Sequence, residues 1–139
     1  MIPSDADSVR CITVAVRDMH DVPRARRAAE EAARSAGMCV LDVGIVAIVA
    51  SELATNLARY APGGTLSSAG HGHCVYLESR DAGPGIGRPA EALVDGFSTG
   101  GGLGIGLGAM KRMMDGFSLD TSPAGTTIRV HKCCAHGTR

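Results

Sequence analysis

Residues 9–16 alternate, with Ile12, Val14 and Val16 set against the smaller Cys11, Thr13 and Ala15. That period of two predicts a first strand with one strongly apolar face. The pattern then lengthens to a helical one. Asp21-Val-Pro23 predicts a helix start, with Asp21 as its cap and Pro23 in its first turn. Residues 24–35, rich in Ala, Arg and Glu, continue that helix to Gly37. A second, more apolar helix opens at Asp42. It carries Ile45, Val46, Ile48, Val49, Leu53 and Leu57 and ends near Tyr60, ahead of Pro62-Gly-Gly64, so it reads as the central buried helix. Residues 66–68 and 74–80 predict a hairpin that turns at Gly70-His-Gly72. A tight turn at Asp81-Ala-Gly-Pro-Gly-Ile86 follows, then a short helix over 88–94 and a glycine-rich loop. A helix over about 104–115, a strand at 117–120, a turn at Ser122-Pro-Ala-Gly125 and a last strand at 126–131 complete the chain. This order predicts an α+β fold, a two-layer α/β sandwich with helices on one face of a mixed sheet. No repeat or linker divides it, so residues 1–139 read as a single domain with flexible ends at about 1–8 and 132–139.

Composition narrows the function classes. Lys plus Arg equal Asp plus Glu at 14 each, which leaves no net charge to attract nucleic acid or an anionic membrane. Aromatics are only 3% with no Trp, too few for stacking on single strands. No uninterrupted apolar run approaches the roughly 20 residues of a membrane span, and the first residues offer no basic region followed by an apolar signal segment. A cytoplasmic protein is expected, with no nucleic acid and no membrane among its partners. The five cysteines, Cys11, Cys39, Cys74, Cys133 and Cys134, are odd in number and scattered, which predicts reduced thiols. His131, Cys133, Cys134 and His136 can be drawn as a metal site, but adjacent cysteines match zinc spacing poorly and a frayed tail is the simpler expectation. The arginines of the first helix, Arg24, Arg26, Arg27 and Arg34, read as a solvated face or as a docking surface for an acidic partner.

Four segments carry candidate chemistry. The stretch from Asp95 to Lys111 concentrates glycines ahead of a helix, an arrangement that lets backbone N–H groups and the positive end of a helix dipole approach an anion. A flexible turn with no ligand has the same composition. The stretch fits neither G-x-x-x-x-G-K-[ST] nor a dinucleotide fingerprint. Glu52 and Asn56 lie four residues apart, so they project from one helix face a turn apart. Such a pair can present a proton acceptor beside an oxygen ligand for Mg2+, and it is equally what a polar helix stripe looks like. Asp81, ahead of Gly83 and Gly85, can accept the exocyclic amine hydrogen of adenine or simply cap an Asx turn. Thr126, after Gly125, can hydrogen-bond a nucleotide base or serve as an ordinary strand residue.

Taken in order, Glu52-Leu-Ala-Thr-Asn56, Asp81-Ala-Gly-Pro-Gly85, Gly102-Leu-Gly-Ile-Gly106 and Gly125-Thr126 resemble the asparagine box and the two glycine boxes of the GHKL or Bergerat-fold ATPases. The segments 48–61 and 95–107 are similar to the RsbT-like switch serine/threonine kinases of bacterial partner-switching systems. The resemblance runs from about Val9 to Val130. It implies ATP and Mg2+ as cofactors, with Asn56 ligating Mg2+ and Glu52 activating the acceptor hydroxyl. It implies that Asp81 reads adenine, that Gly83, Gly85 and Ile86 shape the base pocket, and that Gly102, Leu103, Gly104 and Gly106 bracket the phosphates. Thr126 completes the adenine site. Lys111 either reaches a phosphate or is a surface lysine. The substrate it implies is a STAS-domain antagonist or scaffold protein, with a downstream phosphatase or a sigma factor as further partner. The alternative within the same resemblance is a nucleotide-gated anti-sigma factor. A detached histidine-kinase domain is a third possibility, disfavoured because no histidine-bearing acceptor helix is present. The sequence departs from the switch kinases in a shorter hairpin between Tyr60 and Asp81 and in Gly108, where a proline is common.

Overall fold

The computed structural model describes residues 10–83 and 106–134. The predicted short helix over 88–94 and the first part of the glycine-rich stretch lie outside the described residues, as do Gly85, Ile86, Gly102, Leu103 and Gly104.

Strand β1, Cys11–Val16, buries Val14 and Val16 on one face, as its alternation requires. Asp18 then caps a single 3-10 turn, Met19–Asp21, by accepting the His20 N–H at 2.8 Å. Helix α1, Val22–Ser35, takes Pro23 in its first turn, where a missing N–H costs nothing. Asp21 stands at the N-cap position, but its side chain does not cap the helix. It turns back to accept the Arg17 N–H at 2.9 Å and lies 3.4 Å from Arg24. The Arg17 N–H, with help from the Arg24 charge, holds the Asp21 carboxyl below its ordinary value of 3.8. The C-terminus of α1 closes with Gly37 N–H on the Arg34 carbonyl and Met38 N–H on the Ala33 carbonyl, the paired bonds of a Schellman motif.

Helix α2, Val40–Tyr60, begins two residues ahead of the predicted Asp42. By length and composition it could cross a bilayer. Its apolarity is used otherwise: Val43, Val46, Val49, Leu53 and Leu57 form a buried stripe in the common core. Strand β2, Gly64–His71, and strand β3, Cys74–Asp81, are longer than predicted, and their register leaves only Gly72 and His73 in the turn. The turn is therefore not at Gly70-His-Gly72. His71 is half-buried in β2, with its Nδ1 unpaired among the described residues. Helix α3, Gly106–Met113, feeds strand β4, Gly116–Ser122, and strand β5, Gly125–Cys133.

The strand order is β1-β2-β3-β5-β4, and all four pairings are antiparallel. The sheet is thus antiparallel where a mixed one was expected. The reason is topological: β5 inserts between β3 and β4 as the return arm of a hairpin, so β3 and β4, which run parallel, never touch. Leu66, Val75, Leu77, Ile128 and Val130 join the helices in one core. The other sheet face carries polar pairs such as Thr13 with Ser67 at 2.8 Å and Glu78 with Arg129 at 2.8 Å. The predicted two-layer plan holds.

Two expectations about the cysteines and the tail are corrected. Cys74 and Cys133 are direct partners in the β3–β5 register and are joined by a disulfide. Spacing along the chain could not reveal a pairing made by strand register. Residues 132–134 also do not fray, because β5 runs to Cys133 and Cys134 is buried with its Sγ 3.6 Å from the Ala36 carbonyl. Among the described residues no group of three or more His, Cys, Asp or Glu side chains is placed to hold a metal.

Candidate nucleotide site

Asp81 and Thr126 face each other in the β3–β5 register, at the end of the strand pair far from the disulfide. Asp81 closes an Asx turn, its Oδ1 accepting the Gly83 N–H at 2.8 Å. That bond uses one carboxylate oxygen. Among the described residues no hydrogen bond reaches Oδ2, which leaves an acceptor at the strand end. Thr126 is buried at 7% exposure, and its Oγ1 lies 2.8 Å from Thr121 Oγ1 across the β4–β5 pair. Either hydroxyl can donate in that pair. Thr121 was not singled out from sequence, because its pairing with Thr126 is made by the β4–β5 register.

Gly125 explains why this corner is tight. Its φ is 153° and an added Cβ would strike the Asp81 carbonyl oxygen and crowd Ala82 Cα, so only glycine brings the start of β5 against the Asp81 turn. The same corner meets α2. A Cβ on Gly64 would lie 2.6 Å from Leu57 Cδ2 and 3.1 Å from Asp81 Cβ, and one on Gly83 would lie 3.6 Å from Ala61 Cβ. The last turns of α2, the start of β2 and the Asp81–Gly83 turn are therefore in direct contact.

Glu52 and Asn56 are both half-buried on α2, flanked by the buried Leu53, Ala54 and Leu57. Asn56 immediately precedes the leucine that packs at the Asp81 corner, and Glu52 sits one turn, about 6 Å, earlier. Gly106 opens α3 at φ 79°, and Leu107 and Met110 bury that helix in the common core. Lys111 is exposed on α3. Of the predicted set, the structure thus places Asp81, Gly83 and Thr126 in one corner, and carries Asn56 and Glu52 a turn apart on α2, whose Leu57 packs at that corner.

The family model of the histidine kinase-like ATPase domain matches residues 15–132. The chain is 37% identical over 117 residues to the serine/threonine-protein kinase RsbT of Bacillus subtilis (strain 168), covering 81% of this chain and 88% of that protein. Among solved structures, the RsbU and RsbW domains of Rv1364c from Mycobacterium tuberculosis superpose with a TM-score of 0.63 at 15% identity. That match covers 89% of this chain, which spans only 32% of the larger protein. The mycobacterial sensor histidine kinase MprB gives a TM-score of 0.52 at 19% identity, over 90% of this chain and 97% of that one. The histidine kinase domain of a blue-light-activated kinase from Erythrobacter litoralis gives 0.52 at 16% identity, over 93% and 69%. At those identities the structural matches speak for the fold. The family model and the sequence match span most of the chain, and the chain belongs to the histidine kinase-like ATPase domain family.

Proposed function

We propose that this chain is a cytoplasmic, Mg-ATP-dependent protein serine/threonine kinase of a partner-switching pathway, whose substrate is a STAS-domain antagonist or scaffold protein. The observation that carries the reading is the 37% identity to the serine/threonine-protein kinase RsbT across most of both chains. The donor set fits the cofactor. Asp81 Oδ2, with no hydrogen-bond partner among the described residues, would accept from the exocyclic amine of adenine, and Thr126 is opposite Asp81 in register. Gly83, Gly85 and Ile86 would line the base. The Asn56 side-chain oxygen suits a hard cation that keeps most of its ligands as water and phosphate. The backbone N–H groups around Gly102, Leu103, Gly104 and Gly106 would bracket the phosphates.

Mg-ATP, when bound, supplies the phosphoryl group and the cation that offsets its charge. The chain's own residues do the rest. Glu52 accepts the proton of the acceptor serine hydroxyl, a role worth about 10²–10⁴-fold in rate. The α2 scaffold fixes Glu52 and Asn56 relative to one another, so positioning is paid for in folding. Phosphate on the acceptor adds about −1.5 to −2 charge at neutral pH, enough to change which surface the acceptor docks on and to release this chain to a downstream phosphatase.

Intact-mass analysis of a STAS-domain protein from the same organism, incubated with this chain and Mg-ATP, tests the reading. One phosphate gained, with transfer lowered about 10²–10⁴-fold by Glu52→Ala and lost with Asn56→Ala, is the expected result. Nucleotide binding without transfer to any such acceptor would instead point to a nucleotide-gated anti-sigma factor.

A further inference from the structure

The end of the sheet opposite the nucleotide corner holds a second chemical feature. Cys74, first residue of β3, and Cys133, last residue of β5, are paired across the strands and bonded, and both are half-buried, within reach of a small reagent. They lie on the open face of the sheet, next to the Tyr76 and His131 rings, whose centroids are 5.5 Å apart.

What converges on Cys133 gives the bond a consequence. The Cys133 N–H donates to Asp115 Oδ2 at 2.7 Å, and the Asp115 N–H donates to the His131 carbonyl at 2.9 Å. Lys132 Nζ donates to the Met113 carbonyl at 3.2 Å, at the last residue of α3. The Cys134 N–H donates to the His73 carbonyl at 2.9 Å, in the β2–β3 turn. Residues 131–134 thus grip the C-terminus of α3 on one side and the hairpin turn on the other. Helix α3 is short, and its first residue is Gly106.

We propose that Cys74 and Cys133 form a reversible dithiol–disulfide modification site, oxidised by a low-molecular-weight disulfide such as glutathione disulfide, and that its state sets how firmly α3 is held. That α3 in turn carries one end of the phosphate-bracketing loop rests on the functional reading above. In the oxidation, the thiolate of one cysteine attacks a sulfur of the small disulfide and displaces one small thiolate, leaving a mixed disulfide. The second cysteine's thiolate then attacks the protein sulfur of that adduct and displaces the second small thiolate. The two cysteines lose two electrons and two protons, and the small disulfide gains them as two thiols. The opposed register positions supply the geometry for closure, and in a reducing compartment accessible pairs of this kind are usually redox-sensing.

The test is a glutathione redox titration of the full chain, with thiols counted by alkylation and mass, alongside amide hydrogen exchange of the two end states without nucleotide. The expected result is a single two-electron step mapped to Cys74 and Cys133, absent from Cys74→Ser and, independently, from Cys133→Ala. Amides of residues 107–115 should exchange about tenfold or more faster in the reduced form. The proposal is overturned by thiols that stay alkylatable at every glutathione ratio, by a stable glutathione adduct that never closes, or by equal exchange of α3 in the two states. None of these readouts involves phosphoryl transfer, so the kinase reading stands or falls separately.

Discussion

In the proposed kinase, Asp81 would divide its two carboxylate oxygens between structure and recognition. Oδ1 holds the Gly83 N–H at 2.8 Å and so shapes the turn. Oδ2 has no hydrogen-bond partner among the described residues. Asp81→Asn separates the two roles, because the amide oxygen can still accept from Gly83 while the NH2 group presents a donor where an acceptor stood. ATP affinity should fall by about 10- to 100-fold, the loss of one charge-assisted hydrogen bond at roughly 1.5–3 kcal/mol. Calorimetric titration measures it, and a melting temperature within a degree or two of the parent shows the turn intact. Asp81 and Thr126 were legible because an acidic residue before spaced glycines, and a Gly-Thr at a strand start, are local patterns. Thr121 was not legible. Its role depends on the β4–β5 register, which residues 122–125 set only once the turn is folded.

At the scale of elements, α2 is where the fold and the proposed chemistry share residues. Its period was readable from Val46, Val49, Leu53 and Leu57, and its start was not, since Val40 and Leu41 are apolar yet 90% and 72% exposed. Leu57, 2% exposed, packs at Gly64 beside the Asp81 corner. Leu57→Ala should cost about 2–5 kcal/mol by the loss of contacts and the cavity left behind, read as a lower urea midpoint with an unchanged slope. Strand β2 was foreseen at three residues and spans Gly64–His71. Ser68 and Gly70 stand at core-facing positions where the alternation calls for apolar side chains, and the strand exists because β1 and β3 flank it and satisfy its backbone. Helix α1 shows the opposite error, a cap read correctly by position and wrongly by partner. Because the Arg17 N–H lowers the Asp21 pKa, the bond adds stability at pH above the ordinary carboxylate value, and that stability is lost as pH falls through the lowered value. An NMR titration should place the Asp21 midpoint below 3.8, and Asp21→Asn should flatten the acid limb of the stability profile.

For the whole molecule, the Cys74–Cys133 bond closes a loop across a sequence separation of 59. Loop-closure entropy sets its contribution at up to about 4 kcal/mol, much of which native-state effects can offset. The oxidised chain should therefore melt higher than the reduced one, by roughly 10 °C or more at full effect, in parallel thermal scans with and without a thiol reductant. Equal melting temperatures would mean that native-state effects cancel the loop-closure contribution. The α+β class and the placement of helices on one face followed from the element order. The antiparallel sheet did not, because pairing order is a property of which strand inserts between which.

That insertion has a consequence for how the chain comes into being. β5, last of the described strands in sequence, does not cap the sheet at its rim but fills the slot between β3 and β4. Until residues 125–133 leave the ribosome, β3 lacks the strand that satisfies one row of its backbone donors and acceptors, and β4 has no partner among the described strands. A nascent chain in that interval is open to pairing with whatever extended segment it meets. The protein thus acquires the corner where Thr126 meets Asp81 in the same event that removes its most adhesive edge.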